Sequence, residues 1–305
     1  MTMEWKGVMP AITTCFNDQL EIDHDFTARH VTWLVDNGCT GIVTPGSLGE
    51  GGTLSIDEKR AIWRTCIDAV GDRVPVVAAV ASMTTGDACH QAREAEFIGC
   101  KGLMVLPPYI YKGDWREMKH HVGETMRATP LSCMLYNNPV AYGTDFLPEQ
   151  IAELAAEVPN FHAVKESSTD VRRVTAIRAL TGDRLALFVG VDDCIVEGIA
   201  AGATGWIAGL VSAFPKESVD LFNYALAGEH EKAHEIYKWF LPLLRLDTVP
   251  KFVQLIKLVQ ERVGWGNTRV RPPRMELTGA ELEETKRIID EALKDRPAYV
   301  SAARP

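Results

Sequence analysis

Short apolar segments alternate with amphipathic ones along most of the chain. The apolar segments are too short for helices, whereas the stretches between them repeat apolar residues at three- and four-residue spacing. This alternation is typical of βα units that build a parallel sheet. The pattern predicts eight strands, at residues 7–13, 41–45, 74–80, 102–106, 131–136, 162–165, 185–190 and 206–210.

Capping residues mark where the helices between these strands begin and end. Asp23 and Ser55 each precede a helical pattern, Pro148 lies in a first turn, and Gly99 follows the end of another helix. Asp and Ser accept hydrogen bonds from the free N–H groups of a first turn, and Gly tolerates the left-handed backbone after a last turn. A strand followed by a helix eight times predicts an α/β fold, the (β/α)8 TIM barrel.

The end of the chain departs from this alternation. Helical periodicity continues without intervening strands at residues 231–244, 249–263 and 279–293. We therefore predict a barrel over residues 1–228, a C-terminal three-helix extension over residues 229–296 and a tail over residues 297–305.

Charge and cysteine usage narrow the range of partners. The 305 residues carry 32 basic and 41 acidic side chains, a net charge of −9 that argues against nucleic acid as a partner. Seven cysteines without a C-x-x-C pair favour reduced thiols in a cytoplasmic protein. The first 20 residues lack the apolar run of a secretory signal. Glycines interrupt the uncharged run 198–215, which predicts a helix end, a turn and a buried strand, and no membrane partner.

Chemistry in such barrels collects where the strands end, and Lys165 ends the sixth strand. Burial disfavours an ammonium ion, and about 4 to 5 kcal/mol would bring the pKa of a lysine near 7. The neutral amine could then attack a ketone and form an imine. The structural alternative is an ordinary ion pair with Glu166 or with a carboxylate on the next strand.

The second and fifth strands end in further candidates. Tyr136 ends the fifth strand, and a phenol beside an amine can carry the protons that imine formation moves. It could equally be a core tyrosine with a satisfied hydroxyl. The glycine-rich loop at residues 46–52 can direct N–H groups and the Ser47 hydroxyl toward a carboxylate. Its glycine spacing differs from that of a dinucleotide-binding loop.

Two acidic residues and one histidine motif raise the question of metals. Asp192 and Asp193 follow the seventh strand and could bind a metal or substrate hydroxyls, or cap a helix. No histidine lies close enough in sequence to complete a metal triad there. His230 and His234 form an H-E-x-x-H motif, but it lies beyond the barrel without a third ligand, so we interpret it as surface. We predict no cofactor and no metal.

Three motifs in this order resemble the dihydrodipicolinate synthase and N-acetylneuraminate lyase family. They are Gly-Ser-Leu-Gly-Glu at residues 46–50, Tyr-Asn-Asn-Pro at residues 136–139 and Val-Lys-Glu-Ser at residues 164–167. The resemblance spans residues 6–293. It implies an enzyme in which Lys165 forms a Schiff base with a small-molecule 2-oxo acid and Tyr136 relays protons.

The resemblance also implies how the rest of the site is assembled. Ser47 and Tyr109 would complete the relay, with Tyr109 reaching in from a neighbouring subunit of a homotetramer. The loop of Gly46, Leu48 and Gly49 would receive the substrate carboxylate. Four further positions match residues that bind the substrate and its hydroxyls in the lyase branch. In this chain they are Gly190, Asp192, Asp193 and Ile207.

Two positions depart from the synthase pattern. Ala141 stands where the synthase has an arginine for the carboxylate of its aldehyde substrate. Losing that charge-assisted contact, worth about 1.5 to 3 kcal/mol, disfavours the synthase reaction. Leu48 replaces the usual threonine of the loop and removes one hydroxyl from the carboxylate site.

Three further sequence similarities point to one branch of the family. Residues 5–7, 136–139 and 271–275 are similar to 1-pyrroline-4-hydroxy-2-carboxylate deaminases. We therefore expect a Schiff-base lyase or deaminase for a hydroxylated 2-oxo acid or its cyclic imine, and most specifically that deaminase. The alternatives are 4-hydroxy-tetrahydrodipicolinate synthase and a 2-oxo acid aldolase or dehydratase. A non-catalytic binding barrel would have little use for Lys165 beside Tyr136, and a phosphate-binding barrel lacks a basic residue between positions 209 and 215.

Overall fold

Eight parallel strands form a nearly closed barrel in the computed structural model, which describes residues 3–109 and 111–297. The hydrogen-bonded order is β1-β8-β7-β6-β5-β4-β3-β2, and a parallel bridge between Ala11 and Val43 brings the two ends of the sheet together. The predicted (β/α)8 TIM barrel is confirmed. The strands are β1 (Gly7–Pro10), β2 (Ile42–Thr44), β3 (Val76–Val80), β4 (Gly102–Val105), β5 (Ser132–Asn137), β6 (Phe161–Glu166), β7 (Ala186–Val189) and β8 (Gly205–Ala208).

Helices follow the strands and continue beyond the barrel. Asp23 caps the first, accepting a 2.8 Å hydrogen bond from the Phe26 N–H, and Ser55 caps the second in a reciprocal box with Glu58. The described helices are α1 (His24–Asp36), α2 (Ile56–Val70), α3 (Thr85–Ile98), α4 (Trp115–Arg127), α5 (Pro139–Tyr142), α6 (Pro148–Glu157), α7 (Arg172–Thr181), α8 (Ile195–Ala200), α9 (Pro215–Leu226), α10 (His230–Leu244), α11 (Phe252–Arg262) and α12 (Gly279–Lys294).

The barrel is packed at the amino end of its strands. Trp5 lies beneath the strands, donates a 2.7 Å hydrogen bond from Nε1 to the Ser132 hydroxyl and meets Phe188 edge to face. Met9, Met104 and other buried apolar side chains fill the interior above it. This end is closed, and the cavity of the barrel lies toward the carboxyl ends of the strands, where such barrels place their chemistry.

The three C-terminal helices form where the sequence predicts them, with one shifted start. Residues 245–247 make a short 3-10 turn, and α11 begins at Phe252 because Pro250 disfavours helical backbone in the residue before it. The division of the chain after residue 228 stays a prediction. The tail predicted from residue 297 is described only at Pro297; residues 298–305 lie outside the described residues.

The remaining sequence features fall on ordinary structure. The uncharged run 198–215 contains the end of α8, the whole of β8 and the start of α9. None of the described helices is both long and apolar enough to cross a membrane. All seven cysteines are free thiols. His230 and His234 are exposed on α10, and within the described residues no cluster of three potential ligands is placed to hold a metal.

Candidate active site

A cavity of about 370 Å³ opens at the carboxyl ends of the strands. Lys165 and Tyr136 lie on its floor, and Gly46, Ser47 and Leu48 form one wall. The cavity is not made by the barrel alone, because residues from beyond α10 line it as well. These are Asp247, Thr248, Val249, Pro250, Phe252 and Arg274.

Lys165 lies in β6 between Tyr136 on β5 and Phe188 on β7. Its side chain is buried, and Nζ lies 4.2 Å from the centre of the Tyr136 ring. Burial lowers the pKa of the Lys165 amine to about 8, although the nearby charges of Asp247 and Asp192 act in the opposite direction. A substantial fraction of the amine is therefore neutral and nucleophilic near that pH.

Glu166 does not pair with the lysine. Successive strand residues face opposite sides of a sheet, and the Glu166 carboxylate accepts hydrogen bonds from the Ser168 N–H at 2.7 Å and from Asn137 Nδ2 at 3.2 Å. The structural alternative of a Lys165–Glu166 ion pair is thus absent from the described residues. The carboxylates nearest to the amine instead belong to Asp192 and Asp247.

Gly190 makes room for the lysine. A Cβ at this position would lie 2.6 Å from Lys165 Cε and 2.0 Å from the Ser167 hydroxyl oxygen, far inside van der Waals contact. A residue larger than glycine would push the Lys165 side chain out of its place above β7. Gly190 therefore contributes to the site through the side chain that it lacks.

Tyr136 presents a phenol to the same space. Its oxygen accepts a 2.9 Å hydrogen bond from Asn138 Nδ2, which leaves the phenolic proton available toward the cavity. Burial is the main cause that raises the pKa of Tyr136, to about 12. The hydroxyl therefore stays protonated at neutral pH and can donate a proton to a leaving group.

Tyr142 is a candidate that the sequence analysis missed. Asn138 caps the one-turn helix α5, its side-chain oxygen accepting from the Ala141 N–H, and this helix brings Tyr142 over the cavity. The Tyr142 hydroxyl is hydrogen-bonded to the Ser47 hydroxyl. The signal in the sequence was a second tyrosine shortly after the Tyr-Asn-Asn-Pro motif, but only the turn of α5 shows that it points inward.

Tyr109 lies outside this contact. It is 37% exposed, and its ring centre is 6.1 Å from that of Tyr142. Among the described residues, Tyr109 does not line the cavity of its own chain. Within this chain, the hydroxyl beside Ser47 is that of Tyr142, and the predicted role of Tyr109 across a subunit interface stays a prediction.

Asp192 and Asp247 form an acidic pair behind the lysine. Asp192 is fully buried and accepts a 3.0 Å hydrogen bond from the Leu210 N–H through Oδ2. Asp247 lies directly on Gly209, where a Cβ would be 2.3 Å from Asp247 Oδ1. Burial raises the pKa of Asp192 to about 7, and burial together with the charge of Asp192 raises the pKa of Asp247 well above its usual range. Sequence reasoning missed Asp247 because it lies beyond the barrel strands.

Asp192 and three other predicted binding positions lie outside the cavity lining in the described structure. The carboxylate of Asp193 points away, 3.5 Å from the Arg245 guanidinium. Gly49 packs on the loop below, where its carbonyl accepts a 2.7 Å hydrogen bond from the Thr14 hydroxyl. Ile207 is fully buried in the barrel interior. Direct contact with substrate is therefore less suited to these positions than to Gly46, Ser47 and Leu48.

A buried ion pair holds the glycine-rich loop in place. Glu50 follows the loop with a left-handed backbone, φ 56°, and its Oε1 lies 2.6 Å from Lys257 Nζ on α11. Oε2 of Glu50 accepts a 3.0 Å hydrogen bond from the Arg271 N–H. The C-terminal helices thus fix the wall that Ser47 belongs to.

Comparison with known proteins decides the family. The family model described as the dihydrodipicolinate synthetase family matches residues 4–292, which is nearly the whole chain. The chain belongs to the dihydrodipicolinate synthetase family. As a member, it is a class I Schiff-base lyase, and the predicted family and enzyme class are both confirmed.

Several relatives show how far the likeness extends. The 4-hydroxy-tetrahydrodipicolinate synthase of Methanocaldococcus jannaschii is 31% identical over 291 residues, 95% of this chain and 98% of the relative. A dihydrodipicolinate synthase crystal structure matches with TM-score 0.87 and 32% identity over 95% of this chain and 99% of that one. A monomeric synthase variant matches with TM-score 0.88 and 25% identity over 95% and 96%. The Acinetobacter baumannii synthase complexed with pyruvate matches with TM-score 0.89 and 25% identity over 95% and 98%.

The predicted 1-pyrroline-4-hydroxy-2-carboxylate deaminase activity is wrong, because these relatives are named synthases. Two of the features that suggested it have structural roles. Trp5 closes the opposite end of the barrel, and Arg271 binds Glu58 and the Leu20 carbonyl outside the cavity lining. Neither contact bears on whether the substrate carries a hydroxyl group.

Proposed function

We propose that the chain joins a 2-oxo acid to an aldehyde that carries a carboxylate, through an imine on Lys165. This is the condensation expected of a 4-hydroxy-tetrahydrodipicolinate synthase, with pyruvate as the 2-oxo acid. The observation that carries the proposal is a buried amine of lowered pKa, 4.2 Å from the ring centre of Tyr136, at the base of an open cavity. The names of the relatives, and the pyruvate complex of one of them, support it.

The first half-reaction uses the floor and one wall of the cavity. Lys165 attacks the carbonyl carbon, and Tyr136 gives its proton to the departing oxygen. The imine then draws electrons from the adjacent carbon, so that loss of a proton there yields an enamine nucleophile. The Ser47 hydroxyl and the backbone N–H groups near Gly46 and Leu48 suit the substrate carboxylate, since a loop of this kind converges donors on an anion.

The aldehyde carboxylate needs a cation that Ala141 does not provide. Arg274 lines the same cavity as Ala141, and within the described residues its guanidinium has no ion pair. The Arg274 N–H is held at 3.1 Å from the Arg271 carbonyl. We assign to Arg274 the contact that an arginine at position 141 makes in the synthase pattern, which answers the objection raised by Ala141.

For the assembled enzyme we propose a homotetramer with Tyr109 at a subunit interface. Tyr109 is 37% exposed in the single chain, and Tyr111 is 56% exposed on the same loop after β4. Exposed aromatic side chains on one loop are enriched at protein interfaces. Tyr109 would then cover the outer side of Tyr142.

Borohydride trapping tests the imine, and turnover tests the condensation. Reduction in the presence of pyruvate should add the mass of one pyruvyl group per chain at Lys165, and Lys165→Met should gain none. Pyruvate should then be consumed together with aspartate semialdehyde. Arg274→Met should raise KM for the aldehyde by about tenfold or more, the worth of a charge-assisted contact.

The two measurements separate the parts of the proposal. A wild-type protein that gains no mass with pyruvate or other 2-oxo acids would refute imine chemistry. A protein that is trapped with pyruvate but does not consume aspartate semialdehyde would refute the synthase assignment alone.

A further inference from the structure

Asp247 reaches the cavity from the short 3-10 turn at the end of α10. The Thr248 hydroxyl closes this turn by donating a 3.0 Å hydrogen bond to the Arg245 carbonyl. Leu246 is buried and packs the turn into the apolar core. Asp247 lines the cavity, whereas Asp192 lies behind the lining. Asp247 is therefore the member of the acidic pair that a bound substrate can meet.

The contact between these two acids requires a proton. The carboxyl groups of Asp192 and Asp247 are in hydrogen-bonding contact with each other. Oδ1 of each group is buried and has no N–H or hydroxyl partner among the described residues. Two ionised carboxylates cannot form a hydrogen bond, because neither has a proton to donate. One of the two groups therefore keeps its proton.

The surroundings assign that proton to Asp247. Asp192 accepts a 3.0 Å hydrogen bond from the Leu210 N–H, which favours its ionised form. A Cβ on Gly209 would lie 2.3 Å from Asp247 Oδ1 and 2.9 Å from Leu48 Cδ2, so the acid and an apolar side chain pack on the same glycine. Burial and the charge of Asp192 both raise the pKa of Asp247 well above its usual range. Leu48, in place of the usual threonine, thus adds to the apolar surroundings of the acid.

We propose that Asp247 is the general acid of the condensation and gives its proton to the aldehyde oxygen as the C–C bond forms. This inference rests on the proposed imine chemistry at Lys165. Arg274, which we assign to the aldehyde carboxylate, belongs to the same C-terminal wall of the cavity as Asp247. An aldehyde held by Arg274 therefore lies on the side of the cavity from which the acid enters.

The electrons and protons of this step balance. The enamine carbon attacks the aldehyde carbon, the C–C bond forms, and the π electrons of the C=O bond move to the aldehyde oxygen. That oxygen takes the proton of Asp247 and becomes a hydroxyl, while the enamine nitrogen on Lys165 becomes a cationic imine. When water attacks the imine carbon to release the product, the proton that the water loses returns to Asp247.

The charge at Lys165 sets the moment at which this proton is released. A cation at the Lys165 nitrogen lowers the pKa of Asp247. The neutral enamine removes that cation, so Asp247 keeps its proton until the aldehyde is attacked. The imine charge then returns and favours the Asp247 carboxylate just when the aldehyde oxygen needs a proton.

Separate assays of the two half-reactions test the assignment. Exchange of the pyruvate methyl protons in heavy water, followed by NMR without aldehyde, measures imine and enamine formation. Consumption of aspartate semialdehyde measures the condensation. Asp247→Asn keeps the shape of the side chain, its neutral charge and a donor toward Asp192, but the amide is not an acid. This variant should exchange within about threefold of wild type and lose about 100-fold in kcat of condensation, the scale of general acid catalysis.

Two further variants assign the proton to one member of the pair. Asp192→Asn leaves a protonated Asp247 facing an amide oxygen, so its loss in kcat of condensation should be smaller than that of Asp247→Asn by about tenfold or more. Asp220→Asn is the matched control. Asp220 is partly buried on α9, pairs with Lys216 at 2.9 Å and lies outside the described cavity lining, so both rates should stay within about twofold of wild type.

Each outcome decides between the claims. An Asp247→Asn enzyme that condenses as fast as wild type would overturn the role of Asp247, as would a larger loss in Asp192→Asn. Loss of methyl exchange in Asp247→Asn would also overturn it, because the defect would then precede the condensation. A wild type that is neither trapped by borohydride nor exchanges pyruvate protons would refute the proposed function and the acid with it. A wild type that exchanges and condenses, beside an unimpaired variant, refutes the acid alone.

Discussion

At the scale of single residues, opposing forces set the reactivity of Lys165. Burial lowers the pKa of the amine, and the two carboxylates behind it raise the pKa again, so the balance lies at about 8. The sequence analysis weighed burial as the effect that lowers the pKa of this lysine. Asp247 and Asp192 oppose it, because an anion nearby stabilises the ammonium form.

The pH dependence of imine formation should reveal this balance. Below about pH 8 the amine is protonated and unreactive, so kcat/KM should rise with pH and level off above that value. Asp192→Asn removes an anion that favours the ammonium, and the amide oxygen can still accept from the Leu210 N–H. The rising limb should therefore move to lower pH by about one unit.

The matched control for that shift is Asp193→Asn. Asp193 faces Arg245 and is not among the charges that act on Lys165, so the rising limb should stay in place. Stopped-flow measurement of kcat/KM across the neutral and mildly alkaline range would give the rising limb of each variant. A limb that moves to higher pH in Asp192→Asn would contradict our assignment of the charges.

The sequence pattern predicted the site residues that lie at the ends of barrel strands and missed those that lie elsewhere in the chain. Lys165 and Tyr136 could be predicted because a strand ends at the chemical face of this fold. Asp247 and Arg274 could not, since nothing in the local pattern shows that a segment beyond the barrel folds back over its mouth. Tyr142 required the geometry of a single helical turn.

At the scale of elements, a buried ion pair joins α11 to the glycine-rich loop. Lys257 and Glu50 are almost completely buried, and their charges are matched by one another and by backbone groups of residues 269–271. A buried ion pair costs desolvation energy, so it contributes little net stability. Removing one partner, however, leaves the other charge buried without a counterion. The loop that carries Ser47 depends on this contact.

Lys257→Met should destabilise the fold by about 3 to 5 kcal/mol, because it leaves the Glu50 carboxylate buried without its cation. Lys251→Met is the control. Lys251 pairs with Glu281 at the surface, where both side chains are about half exposed, and such pairs contribute about 1 kcal/mol or less. Urea unfolding followed by circular dichroism would compare the two, and equal losses would show that the loop does not depend on the buried pair.

Also at the scale of elements, the apolar periodicity predicted the type and position of each strand and helix well. It predicted the residues at which they begin and end less well. All eight strands lie within the predicted segments or extend them by one residue at an end, because each is a short, mostly buried run between polar turns. The predicted start of α11 was three residues early, since apolar spacing alone does not register the constraint of Pro250.

At the scale of the whole molecule, the proposed association involves the exposed tyrosines of the loop after β4. Family members are usually oligomeric, yet one matching structure is a monomeric variant. We expect sedimentation equilibrium of this protein to give four times the mass of the chain. Tyr111→Asp should shift the distribution toward smaller species, because a charge buried at an interface without a partner is costly.

A wild-type protein that sediments as a single chain would refute the tetramer. The fold class was predictable from the repeated βα pattern, whereas association depends on surfaces that no periodicity encodes.

The cavity wall contributed by residues 247–274 has a further consequence for biosynthesis. A ribosome releases all eight strands before the segment that carries Asp247 and Arg274 emerges. Until that segment docks, Lys165 is more hydrated, and the pKa of a hydrated lysine is about 10.4. An unfinished chain would therefore carry an inert ammonium group among the cell's many reactive carbonyl metabolites, and the amine would become reactive only in the completed protein.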